Sequence, residues 1–243
     1  MLIGDLWVGL GAPCRTVAEI SNNHGGDYDR AVRLLDAAKV VGADAAKVQC
    51  FTPGELIALR GDGTPPAPWS QMTMTELYSK ARTPFGWFAP LYEHAASINL
   101  PIFSSVFGPD SLALLESIGN SAYKLAALDC GVGWLREMVQ GTGRPIIRSC
   151  AETHAPTGPG WWIYAPPGYP QPRAHLGNIR NGYFGYSYHG KDPWVPAMAV
   201  AFGAHYVECH FQLDEEPSEL EAGVSLGQEA FAEMVATIRD IEA

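Results

Sequence analysis

Along the chain, short runs of β-branched and aromatic residues alternate with longer stretches in which apolar positions recur every three or four residues. The run Thr16–Ser21 predicts a first strand. Asp29–Val41 follows, with Val32, Leu34, Leu35, Ala38 and Val41 on one face and Gly42 as a stop, and predicts a helix. Further strands are expected at Ala45–Phe51, Pro101–Phe107, Ala122–Leu128, Pro145–Ser149, Trp161–Ala165, Tyr183–His189 and Tyr206–Phe211. Helical spacing marks Trp87–Ile98, Ser111–Ile118, Trp134–Gln140, Pro193–Phe202 and Gln228–Ile241, and a Pro/Gly/Trp-rich loop is expected from Pro53 to Ser70. The rhythm breaks once. Between strands five and six, residues 150–160 read CAETHAPTGPG, too short and too rich in proline and glycine for a helix. Eight strands with mostly helical crossovers predict an α/β protein, a (β/α)8 TIM-type barrel with the helix after strand five missing. An open doubly wound sheet is the alternative, but no Gly-rich nucleotide fingerprint follows any strand.

Composition narrows the picture. The 243 residues are near the roughly 250 of a typical β/α barrel. No repeat or linker divides them, so a single domain over 1–243 is expected. With 47% apolar and 17% charged residues the chain is globular. A net charge of −10 argues against nucleic acid as a partner. Five scattered cysteines without a C-x-x-C pair argue against a disulfide framework and fit a reducing cytoplasm. No apolar stretch reaches about 18 residues and no signal-peptide pattern opens the chain, so no membrane partner is expected.

Polar residues collect at the C-terminal ends of the expected strands, the face on which barrel active sites are built. Glu19, Asn22, Asn23 and His24 end the first strand, and Lys47 and Gln49 lie on the second. Ser104 and Ser105 end the third, Lys124 lies on the fourth, Ser149 ends the fifth, and Tyr169 follows the sixth. Ser187 and His189 end the seventh, and Glu208 and His210 lie on the eighth. Two lysines on alternate strands are costly to bury without anionic partners. A phosphate and a carboxylate would supply them, with the hydroxyls of Ser105, Ser149 and Ser187 completing the hydrogen bonds. His189 and His210 end adjacent strands and can converge on one ion. Two imidazoles plus water and substrate oxygens suit Mn²⁺, with Mg²⁺ or Co²⁺ as alternatives, whereas a closed zinc site needs four protein ligands.

The segments AEISNNHGGDYDRAVRLLDAAKVVGADAAKVQCF, ELYSKARTPFGWFAPLYEHA, FSSVF, AYKLAALD, GRPIIRS, GYSYHG and GAHYVECHFQLD occur in order. In them the chain resembles the barrel domain of N-acetylneuraminate (sialic acid) synthase and pseudaminic acid synthase, over about residues 16–226. The LYSKARTPFGW stretch especially resembles the pseudaminic branch. The resemblance implies a metal-dependent transferase of carbohydrate biosynthesis. It would condense phosphoenolpyruvate with an amino-sugar or other small aldehyde, give a sialic-acid-like 2-keto acid and release phosphate. It implies that Lys47, Ser105, Lys124, Ser149 and Ser187 hold phosphoenolpyruvate, with Tyr169 and Asn23 also in the substrate site. His189 and His210 would hold the metal. Glu19 and Glu208 would act near the sugar and the reacting centre, and Glu221 stands where the family has an aspartate.

The chain also departs from that pattern. The family's Ser-Asp-His-Thr reads Ser187-Tyr188-His189-Gly190, and its Glu-Lys-His-Phe reads Glu208-Cys209-His210-Phe211. Ala127 replaces a serine after the fourth-strand lysine. No C-terminal antifreeze-like domain, with its arginine for the partner's sugar site, is expected. The phosphoenolpyruvate half of the site is therefore expected to be kept and the sugar half remodelled, so that the acceptor differs from N-acetylmannosamine or another chain supplies the arginine. A related barrel lyase or aldolase, or a catalytically silent binding protein, remain the competing readings. A homodimer through the outer helices stays open.

Overall fold

The computed structural model describes residues 1–158, 160–171 and 174–243. Eight parallel strands form the centre: β1 (Arg15–Glu19), β2 (Ala45–Cys50), β3 (Ile102–Val106), β4 (Tyr123–Leu125), β5 (Ile146–Cys150), β6 (Trp161–Tyr164), β7 (Gly185–Tyr188) and β8 (Tyr206–Phe211). Each pairs with the next in sequence. β8 also pairs with β1, His210 opposite Glu19, so the sheet closes into a barrel and leaves no edge between these strands. A two-residue strand, Ser225–Leu226, adds beside the end of β8.

Strand side chains alternate in direction, and the sequence uses that alternation layer by layer. At the N-terminal end the barrel is filled by Val17, Ala45, Phe103, Ala122, Ile147, Ile163 and Tyr206. A small antiparallel hairpin, Leu2–Ile3 with Leu6–Trp7, closes this floor by packing Met1, Ile3 and Val8 onto the same cluster. Two residues further along, the inward positions of seven of the eight strands turn polar, Glu19, Lys47, Ser105, Lys124, Ser149, Ser187 and Glu208, while β6 gives way to Ala165. The apolar floor thus carries a charged layer above it.

The outward residues pack beneath helices α1 (Tyr28–Val40), α2 (Pro53–Arg60), α3 (Met74–Ala81), α4 (Phe88–Ser97), α5 (Pro109–Ser117), α6 (Gly133–Gln140), α7 (Trp194–Ala201) and α8 (Gln228–Glu242). Leu34, Phe88, Leu115, Leu135 and Phe231 are fully buried in this outer core, each contributing about 1.5–3 kcal/mol by removal from water. None of the helices among the described residues is long and apolar enough to cross a membrane.

Three expectations change. The Pro53–Ser70 loop contains α2, and α3 also arises in this excursion. Both helices open with a Thr-x-x-Glu capping box, Thr52 with Glu55 and Thr73 with Glu76, which satisfies backbone donors at the helix start. Pro53 sits in the first turn of α2, where its missing N–H costs nothing. The fourth strand stops at Leu125 and turns into a short 3-10 segment at Ala127–Asp129. The missing helix after β5 is as expected among the described residues, and between β6 and β7 only a 3-10 turn, Leu176–Arg180, stands in for another.

Candidate active site

The charged layer is one connected network at the C-terminal mouth. Lys47 and Lys124 point inward and are 4% and 3% exposed. Lys47 Nζ pairs with Glu19 and lies 3.6 Å from Glu208 Oε2, while Lys124 Nζ lies 3.3 Å from Glu208 Oε1. Ser105 Oγ accepts from Lys47 at 3.4 Å, and Ser149 Oγ accepts from Lys124. Ser187 Oγ donates to Glu208 Oε1 at 2.9 Å and the Tyr206 hydroxyl donates to Oε2 at 2.7 Å. Glu208 is thus the hub on which both lysines and two hydroxyls converge.

Opposing forces set the protonation of this layer. Burial alone would raise the Glu208 carboxyl, but Lys124, Lys47 and the two hydroxyl donors outweigh it and hold the group well below the usual carboxylate range. Burial, with repulsion from Lys47, pulls Lys124 down to about 8 against the attraction of Glu208. Lys47 also loses solvation, yet Glu19 and Glu208 together raise it. The lysines thus find anionic partners within the chain, beside the phosphate and carboxylate that the sequence suggested for them. The chain carries its own carboxylates, and an incoming anion would compete with them.

A second cluster sits just outside. Glu221 accepts from Ser21 Oγ at 3.0 Å and from the Tyr169 hydroxyl at 2.6 Å through Oε1, and its Oε2 lies 3.1 Å from His210 Nδ1. Burial disfavours the His210 cation, but Glu221 and Glu19 more than offset this and raise its pKa, while Glu221 falls to about 2 against its own burial. The His189 and His210 rings lie 5.3 Å apart, with the Tyr169 ring against both. His189 is pushed down to about 3 by burial and by the neighbouring His210, so it is a neutral imidazole, the form that ligates a metal. Glu221 on Nδ1 leaves His210 its Nε2, the arrangement of a carboxylate orienting a ligating histidine. The pair fits a divalent ion as two protein ligands. Among the described residues no group of three His, Cys, Asp or Glu side chains could hold one alone, so water or substrate oxygens would complete the shell.

The network includes residues that sequence reasoning passed over. Ser21 adopts a left-handed backbone (φ 46°) just past β1, rare for a residue other than glycine. There its N–H donates to Glu19 and its hydroxyl bridges Gln49 Nε2 to Glu221. Gln49 is the polar residue that the sequence put with Lys47 on the second strand; Tyr206, not singled out there, lies two residues before Glu208 on the same strand face, and that periodicity was the available signal. Trp69, whose indole N–H donates to the Leu220 carbonyl at 3.2 Å and whose ring lies 5.6 Å from Tyr169, had none. The Asn23 amide donates to the Phe211 carbonyl at 2.7 Å and to Ser225 Oγ at 3.0 Å, holding the end of β8 to the short added strand. In the acidic turn Asp214-Glu215-Glu216, Glu216 pairs with Arg33 at 2.9 Å and Asp214 accepts from the Glu229 N–H in α8's first turn.

The departures at β7 and β8 are also explained. Tyr188 faces outward, stacks on Tyr186 and accepts from the Asp192 N–H. A Cβ on residue 190 would meet the Tyr188 hydroxyl and ring, so the tyrosine requires Gly190. Cys209 also faces outward, with its sulfur 3.6 Å from that of Met234, and burial raises its thiol well above its ordinary range. It is a packing residue.

A closed parallel barrel with buried acids, bases and paired imidazoles at its C-terminal mouth defines a β/α-barrel protein with the site of an enzyme. The chain belongs to the NeuB family, whose model matches residues 34–155 and 174–243. It is 31% identical to a pseudaminic acid synthase of Helicobacter pylori over 93% of this chain and 74% of that protein. Similarity extends to the N-acetylneuraminate-9-phosphate synthase of Mus musculus, at 28% identity over 97% of this chain and 72% of that one. The N-acetylneuraminic acid (sialic acid) synthetase of Leptospira borgpetersenii shares the fold, with a TM-score of 0.83 and 23% identity over 99% of this chain and 88% of that structure.

Proposed function

We propose that the chain condenses phosphoenolpyruvate with an amino-sugar or related aldehyde, forming a sialic-acid-like 2-keto acid and releasing phosphate, with Mn²⁺ as the preferred divalent ion. The observation that carries this reading is the burial of Lys47 and Lys124 at the mouth of a NeuB-family barrel, each beside a serine hydroxyl and a carboxylate. Two fixed ammonium groups suit a substrate with a phosphate and a carboxylate. Their low-dielectric setting strengthens charge stabilisation as the reaction proceeds.

His189 and His210 would hold the metal, which when bound supplies Lewis-acid polarisation of the aldehyde oxygen. The balance is one new bond from C3 of phosphoenolpyruvate to the aldehyde carbon, one water added at C2, and phosphate leaving from C2. Of the two protons the water brings, one passes by way of a carboxylate to the former aldehyde oxygen, which becomes a hydroxyl, and the other leaves with the phosphate. Glu19, beside Lys47, fits that role, whereas Glu208, whose oxygens are held by both lysines and two hydroxyls, would orient the lysines near the reacting centre. Glu221, fixed by Ser21, Tyr169 and His210, faces the acceptor side with Gln49. The Trp69 and Tyr169 rings form an aromatic wall that would shield this region from water.

Phosphate release from phosphoenolpyruvate in the presence of Mn²⁺ and a panel of aldehydes tests the reading. The expected result is aldehyde-dependent release that a His189→Ala/His210→Ala variant abolishes. Calorimetry showing that the native protein binds neither Mn²⁺ nor phosphoenolpyruvate would refute it.

A further inference from the structure

The two imidazoles at the mouth are held by different chemistry. On His210, Nδ1 faces the Glu221 carboxylate at 3.1 Å, an acceptor that keeps a proton on that nitrogen and leaves the Nε2 lone pair open. On His189, Nδ1 faces the side-chain amide nitrogen of Gln171 at 3.4 Å. An amide nitrogen donates and does not accept. The neighbours of an amide decide which of its ends points where. Gln171 Nε2 also donates to the Pro166 and Ser187 carbonyls, each at 3.2 Å. Turning the amide over would pair its oxygen, which is buried without a hydrogen-bond partner, with a proton on His189 Nδ1, but would set that oxygen against both carbonyls. Two hydrogen bonds would be given up for one. The contact is also fixed in place. The Gln171 N–H donates to the His189 carbonyl at 2.8 Å, and the rings of Tyr169 and His210, 5.2 and 5.3 Å away, restrict rotation of the His189 ring.

We infer that Gln171 is a positioning residue that holds neutral His189 with its proton on Nε2, so that His189 is the weaker and more readily released of the two metal ligands. A proton on Nδ1 would point at a donor, so the amide selects the lone pair there. The nitrogen left to meet an ion then carries the proton. To ligate, the ring gives up the Nε2 proton to solvent and takes one at Nδ1, with no net change in charge, and the contact from Gln171 is lost. Glu221 imposes no such step on His210, whose Nδ1 proton it accepts in either state. The consequence for metal binding rests on the reading of the mouth given above, whereas the position of the proton does not.

The test reads the proton directly. Proton–nitrogen correlation spectra of the metal-free native protein near pH 7 distinguish the two tautomers, with the His189 ring assigned by its loss in His189→Ala. The expected result is a proton on His189 Nε2, with His210 as the internal reference carrying one on Nδ1. Gln171→Met keeps the length of the side chain and removes the donor. In this variant the His189 proton should redistribute toward Nδ1, and calorimetry should show Mn²⁺ bound about three- to tenfold more tightly, the contribution of one neutral hydrogen bond. A residue that merely braced the loop would give the opposite sign, because its loss would loosen a ligand. A proton on Nδ1 in the native protein would overturn the inference, as would unchanged or weaker Mn²⁺ binding by Gln171→Met. The native spectrum decides the matter even where the variant does not fold. Absence of Mn²⁺ binding by the native protein would count against the synthase reading, and the position of the proton would still decide this one.

Discussion

Replacing Glu208 by glutamine keeps the length and shape of the side chain and removes one charge from the barrel interior. Glu208 lies 3.3 Å from the Lys124 ammonium and 3.6 Å from that of Lys47. With an effective dielectric of about 20, each contact is an attraction of about 5 kcal/mol. Much of this is offset by the cost of stripping water from the carboxylate, so the net loss on neutralising it is about 3–5 kcal/mol, the usual cost of removing one partner from a buried ion pair. Lys47 keeps Glu19, so Lys124 carries most of the loss. Urea unfolding at pH 7 measures it directly. The same experiment in phosphate supplies a second, sharper reading. Lysines released from Glu208 are free to take an external anion, so phosphate should stabilise the variant more than the native protein. A variant within about 1 kcal/mol of native stability, with no extra gain from phosphate, would refute the view that the lysines are neutralised from within and compete for substrate.

Acid should weaken the fold through His24. Its Nδ1 accepts from the Gly26 N–H at 3.0 Å and burial presses its pKa to about 4, so the folded state refuses a proton that the unfolded chain takes near 6.5. Stability should fall by about 3 kcal/mol between pH 6.5 and 4, and His24→Gln should flatten that slope in urea titrations. Tyr206→Phe removes a buried donor to a carboxylate and should cost about 1.5–3 kcal/mol in thermal or urea unfolding, with Lys47 and Lys124 still paired to Glu208. Gly190→Thr should destabilise the chain by about 1–3 kcal/mol, and in a double-mutant cycle with Tyr188→Ala, itself destabilising because Tyr188 is buried, the two changes should show a coupling of about that size.

The barrel was legible because its two periodicities are local: period-2 strands and helical spacing are written residue by residue, and eight strands with helical crossovers made closure the expected form, which the β8–β1 pairing completes. Residues such as Lys47, Lys124, Glu208 and His210 were legible for the same reason, since a polar residue two positions beyond an apolar inward one must enter the same interior. What escaped depends on contacts between distant segments. Glu221 meets Ser21 across 200 residues, and Trp69 reaches Leu220 from a loop whose sequence carries no period. The helix at Pro53 was hidden by reading proline as a breaker when the Thr-x-x-Glu box around it marks a start. That Lys47 and Lys124 meet carboxylates rather than awaiting an anion depends on the stagger between β1, β2 and β8, which pattern alone does not set.

The contact between Tyr188 and residue 190 also constrains descent. Between a Ser-Asp-His-Thr strand end and Ser-Tyr-His-Gly, the intermediate with tyrosine and threonine together would set a Cβ against the Tyr188 hydroxyl and ring, whereas aspartate with glycine has neither the ring nor the Cβ. A single-step path that avoids this contact, in either direction, passes through the aspartate–glycine form. The two positions form an epistatic pair flanking His189, and a substitution at one is tolerated or rejected according to the history of the other.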